Sequence, residues 1–280
     1  MKTKSKHHNS KTVNSVHSPN SISIEKVGIV SRDYRKKDKN RFRDFSYTFE
    51  GILLYLNEQS CDSVIFSLFT IVKRTSFEVM QTINNLNIEN IKVIFVEEFI
   101  DSNERKAGEY VIYFKDKNKW EEYRLIQKFG TLEYTKLFKD TVIEPFKAEV
   151  KEQRLFGNCT VLLCGETNIV KYSKASKKIE DKFKFLRVLN KDIKVILNPI
   201  HDRMTRFEMK LKRKYLSKNK RWVVSVWNKG KSDKNGKVKD GKKPAWTVYY
   251  NGKEKEIKPI VCNISNQANI EIGILDLNNA

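Results

Sequence analysis

Residues 157–166 read GNCTVLLCGE, and the placing of Cys164 within this stretch decides how the chain is read. The run Thr160–Cys164 is apolar enough for a buried strand, and Gly165 permits a tight turn directly after it. A thiol at the end of a central strand projects into the crevice where α/β proteins bind ligands. A backbone N–H of that turn could then face an oxyanion. The competing reading is a buried structural cysteine, the commoner fate of this residue type.

Outward from Cys164, short apolar runs recur at Val27–Val30, Val64–Leu68, Ile91–Val96, Tyr110–Phe114 and Ile193–Leu197. Later runs follow at Trp222–Trp227, Trp246–Tyr250 and Ile270–Leu275. Helical spacing appears between them over residues 46–57, 76–86 and 177–189. The alternation predicts an α/β fold. With no internal repeat and no Pro/Gly/Ser-rich linker, the simplest division is one domain over residues 25–280 behind a disordered basic arm, residues 1–24.

The chain has 280 residues and a formal net charge of +21, with 39% hydrophobic residues. That content argues against global disorder, and a chain of this size needs no staple. No apolar run approaches the ~20 residues that cross a bilayer, and the N-terminus lacks a signal-type apolar region. A cytoplasmic protein with no membrane partner is the expectation. Cys61, Cys159, Cys164 and Cys262 form no metal-binding spacing, so no metal and no cofactor is expected. No GxxxxGK[ST], GxGxxG or GxSxG is present.

The charge is uneven: +8 over residues 1–45, +2 over 46–200, +13 over 201–260 and −2 over 261–280. Residues 203–216 read as a helix with Met204, Phe207, Leu211 and Tyr215 as its apolar stripe. Arg203, Arg206, Lys210 and Arg213 fall on another face, a candidate anion or nucleic-acid contact. The Lys- and Gly-rich residues 229–243 read as an exposed loop, either an anion-binding element or a solvated surface. A Lys/Asn/Ile-rich composition also fits an AT-rich coding sequence, which would supply lysines without a partner.

The order of these elements resembles the carbon–nitrogen hydrolase, or nitrilase, superfamily. Cys164 with Glu166 two positions on, KVILNP (Lys194–Pro199), Asn228-x-Gly230 and the closing Asp276–Leu277 carry the likeness. It extends over about residues 26–277. The resemblance implies a nitrilase-like α-β-β-α sandwich, a homodimer, and attack by a cysteine on an amide or nitrile carbon. The family uses a Glu base, a Lys and a Cys. Cys164 matches the nucleophile; Lys136 is the best match for the lysine, with Lys128 competing. Glu166 would orient the site. Where the family has Pro-Glu, this chain has Ser67-Leu68, and leucine accepts no proton. Three outcomes stay open: Glu97 or Glu98 serves instead; His201 pairs with Cys164; or hydrolysis is lost. In the last case the chain would be a degenerate member binding nucleic acid or a nucleic-acid-associated partner, conceivably in bacterial defence.

Overall fold

Runs of Val, Ile and Phe form the strands, and in the computed structural model they assemble into two large sheets and a small ribbon. The structure describes residues 22–32, 46–68, 70–72, 78–99, 109–201, 207–230, 243–260 and 270–279.

In the first sheet β1 (Lys26–Arg32), β2 (Ser63–Phe66) and β4 (Val93–Phe99) run parallel, with β3 (Ile71–Val72) added to β4. The antiparallel hairpin β5 (Glu109–Asp116) and β6 (Lys119–Leu125) extends it on one side. The last strand, β15 (Ile270–Asp276), closes the other side against β1. In the second sheet β8 (Cys159–Val161), β11 (Val195–Pro199) and β12 (Trp222–Val226) are parallel. Antiparallel β7 (Leu155–Phe156), β13 (Trp246–Tyr250) and β14 (Lys253–Lys255) flank them. A separate ribbon pairs β9 (Lys171–Ser173) with β10 (Lys178–Glu180).

Successive strand residues point to opposite faces, and here both faces are covered. Val27, Ile65 and Phe95 meet Val195, Leu197 and Val224 in a core between the sheets. Val64, Phe66 and Ile94 turn outward onto α1 (Ser46–Glu58) and α2 (Val79–Asn85). On the opposite exterior, Ile196 and Val223 pack against a segmented helix and against α5 (Phe207–Leu216). The segmented helix comprises α3 (Lys136–Phe138), a π-helical stretch over Lys139–Ile143, and α4 (Glu144–Glu152). The layering is α-β-β-α, as the resemblance implies. Ile22 and Ile24, assigned from sequence to the arm, are buried in the inter-sheet core; residues 1–21 lie outside the described residues.

Two expectations change. Residues 177–189 are not one helix: β10 is followed by a 3-10 turn at Phe185–Arg187. The Asp181 carboxylate accepts the N–H groups of Phe185 and Leu186 at 2.7 and 2.9 Å, and Lys184 adopts a φ of 54°. Ile179, Phe183, Leu186 and Leu189 still reach the outer core, so a helical spacing arises without a helix. The basic helix is present as α5, but rotated. Its buried face is Met209, Lys212, Arg213 and Leu216, while Phe207 is 65% exposed.

Candidate active site

β8 ends at Val161, so Cys164 sits in the turn beyond the strand rather than within it. That turn is pinned from three sides. The Glu166 carboxylate, wholly buried, accepts the N–H groups of Leu163 and Lys128, both at 2.8 Å. Arg154, also wholly buried, grips Glu166 from two guanidinium nitrogens at 2.6 and 3.2 Å and reaches Glu149 at 2.7 Å. Asn198 Nδ2 donates to the Leu162 carbonyl at 2.7 Å, and Ser225 Oγ in turn donates to Asn198 Oδ1 at 3.1 Å. Gly165 is required by proximity: a Cβ there would stand 2.5 Å from Gly130 Cα. Its N–H, a candidate oxyanion donor from sequence, donates to Gln127 Oε1 at 3.1 Å.

Both Glu166 oxygens are thus engaged in holding the turn. The groups facing the thiol come from elsewhere. His201 follows β11, half-buried, with Nε2 3.3 Å from Glu97 Oε1. Burial disfavours the imidazolium, but hydrogen bonds to the Cys164 thiol and to Glu97, and the charges on both, outweigh it. They raise the His201 pKa from 6.5 to about 9. Strand alternation decides which acid is available. Glu97 points inward to His201, whereas Glu98 faces outward and accepts from the Tyr113 hydroxyl.

Cys164, His201 and Glu97 thus form a continuous chain at the C-terminal ends of parallel strands, the ligand-binding end of an α/β sheet. They open into a cavity of about 790 Å³. Leu68 lines it. The Ser67–Leu68 turn is clamped by Asn228, whose Oδ1 accepts from Ser67 Oγ at 2.5 Å and whose Nδ2 donates to the Leu68 carbonyl at 2.6 Å. Asn228, first residue of the Asn-x-Gly element, therefore joins the ends of β2 and β12 across the two sheets.

Neither lysine proposed from sequence lines this cavity. Lys136 begins α3 and is exposed, and Lys128 Nζ pairs with Glu149 at 2.7 Å. Among the described residues, the lysine that lines the cavity is Lys212 of α5, buried, with Nζ donating to Asn168 Oδ1 at 2.5 Å. Sequence reading missed it because it lies inside the run KLKRK (Lys210–Lys214), where nothing separates it from its neighbours. Of the anticipated basic face, Arg203 and Arg206 lie outside the described residues. Lys210 is half-buried and borders a different cavity, and Arg213 is wholly buried.

The remaining described cysteines do not compete. Cys61 and Cys159 are fully buried, and burial pushes both thiols up, Cys61 to about 12. Cys262 lies outside the described residues. Among the described residues no group of three or more His, Cys, Asp or Glu side chains is placed to hold a metal, and no helix is long and apolar enough to cross a membrane.

No family model and no curated protein matches the chain. Among solved structures, a carbon–nitrogen hydrolase from Helicobacter pylori G27 is similar at 10% identity and a TM-score of 0.44, covering 91% of this chain and 90% of that one. An amidase of the nitrilase superfamily from Nesterenkonia AN1 gives 10% identity and 0.43, over 95% and 96%. Saccharomyces cerevisiae Nit3, a nitrilase-superfamily member, gives 10% and 0.43, over 90% of each chain. At that level of similarity no reaction and no residue role passes from those proteins to this one.

Proposed function

We propose that the protein is a thiol-dependent hydrolase or acyltransferase acting at an amide or nitrile carbon, with Cys164 as nucleophile, His201 as proton carrier and Glu97 as the group that orients His201. The observation that supports it is the Cys164–His201–Glu97 chain opening into a large cavity. With an amide, the unprotonated fraction of His201 takes the thiol proton as the sulfur attacks the carbonyl carbon. The tetrahedral oxyanion is stabilised by the Lys212 ammonium. His201 returns the proton to the departing nitrogen as the C–N bond breaks, leaving a thioester. Water, deprotonated by His201, then cleaves the thioester and restores the thiol. Transfer to an amine in place of water gives the acyltransferase outcome. Leu68 at the expected base position is no obstacle here, because His201 supplies the base.

The test uses iodoacetamide and a panel of primary amides and nitriles. Cys164 should alkylate faster than a free cysteine at pH 7, and His201→Asn should slow that reaction at least tenfold. Cys164→Ala should abolish release of ammonia from any amide or nitrile that is turned over. Alkylation no faster than free cysteine, or turnover retained by Cys164→Ala, overturns the assignment.

A further inference from the structure

A second cavity, of about 370 Å³, is bordered by the indoles of Trp227 and Trp246 and by Lys210, Lys243 and Lys255. Glu254 and Glu256 also border it, and Glu254 accepts from the Tyr249 hydroxyl at 3.2 Å. Behind the wall lies Arg213, wholly buried. Its guanidinium faces the Trp227 ring at 5.6 Å, and its Nη1 donates to Thr247 Oγ1, on the cavity wall, at 3.1 Å. Its Nε and Nη2 have no hydrogen-bond partner.

A buried guanidinium with no carboxylate bonded to it among the described residues is costly, and its unbonded N–H groups require explanation. Burial lowers the Arg213 pKa to about 10, which still leaves a cation at neutral pH. The Thr247 hydroxyl already accepts from Arg213, so its own hydrogen is left for an acceptor in the cavity. Three lysines and two glutamates border the cavity, and the Arg213 guanidinium behind Thr247 adds to the positive balance.

We infer that this second cavity binds a phosphate ester of nucleotide size. Several cations converging on one space suit a multiply charged, many-oxygen anion better than a single carboxylate. The volume falls within the range of small-ligand sites, and the tryptophans supply an apolar wall for the organic part. Cys164 packs against the cluster that contains Trp227, so the second cavity shares a wall with the Cys164 site, and the test leaves Cys164 unchanged.

The test is calorimetric titration of the full chain at low salt with adenosine 5′-monophosphate, and separately with adenosine, inorganic phosphate and a short single-stranded oligonucleotide lacking a terminal phosphate. The monophosphate should bind and adenosine should not. Binding should weaken at least tenfold in the Lys243→Ala/Lys255→Ala double variant and severalfold in Thr247→Val. The double variant changes one exposed and one half-buried lysine, whereas Thr247→Val removes a buried hydroxyl bonded to Arg213, so unchanged thermal midpoints are required before its binding is read. Competition between the oligonucleotide and the monophosphate would identify the strand backbone as the phosphate source; lack of competition would identify the free nucleotide. No binding of either the monophosphate or phosphate, or binding unaltered in both variants, overturns the proposal.

Discussion

His201 joins burial, a thiol and a carboxylate in one side chain. Its pKa is raised from 6.5 to about 9 in the folded chain, so the fold binds its proton more tightly than the unfolded chain does. The stability it contributes is therefore fully present below about pH 6.5 and lost as pH rises through about 9. Thermal midpoints of the parent and His201→Asn proteins should differ most near pH 6 and converge above about pH 9. A gap that widens with pH would show that the imidazole is held neutral. The same titration bears on the proposed chemistry, because only the unprotonated fraction of His201, small at neutral pH, can accept a proton. Glu97, 3% exposed, supplies the counter-charge beside the protonated imidazole.

Among the elements, α5 shows how a helix can be located from sequence and still be turned the wrong way. From spacing, Met204, Phe207, Leu211 and Tyr215 form its apolar stripe, and Arg203, Arg206, Lys210 and Arg213 an anion-contacting face. Yet Lys212 and Arg213 are buried with Met209 and Leu216, and Phe207 is exposed. Leu216→Ala should cost about 2–5 kcal/mol in urea unfolding, the range for a buried leucine. Phe207→Ser, whose ring meets only the edge of Tyr172 at 5.9 Å among described ring contacts, should cost under about 1 kcal/mol. The central strands were legible because parallel strands covered on both faces read as unbroken apolar runs. Strand β6, KWEEYRL, was not, because its mostly half-exposed surface leaves no such run. Cys164 was legible because an apolar run ends beside a glycine. The partnership of His201 with Glu97 was not, because 104 residues separate them and each alone is an ordinary polar residue.

At the scale of the whole molecule, the two sheets depend on each other's aromatic side chains. Phe156 of β7 sits 6.0 Å from Phe95, 5.8 Å from Phe114 and 6.2 Å from Tyr123, all contributed by the opposite sheet. Phe156→Ala should destabilise the chain by about 3–5 kcal/mol, read as a lower urea midpoint. A loss under about 1 kcal/mol would mean that the interface repacks around the void.

The strands that carry Glu97, Cys164 and His201 belong to different sheets. Glu97 stands on β4 of the first, whereas Cys164 and His201 follow β8 and β11 of the second. Neither half alone contains a thiol, an imidazole and a carboxylate in series. A half-folded species with only the second sheet formed would hold Cys164 and His201 without the Glu97 carboxylate beside the imidazole. Glu97 meets the imidazole only once the two layers have come together, so assembly of this trio reports completion of the sandwich.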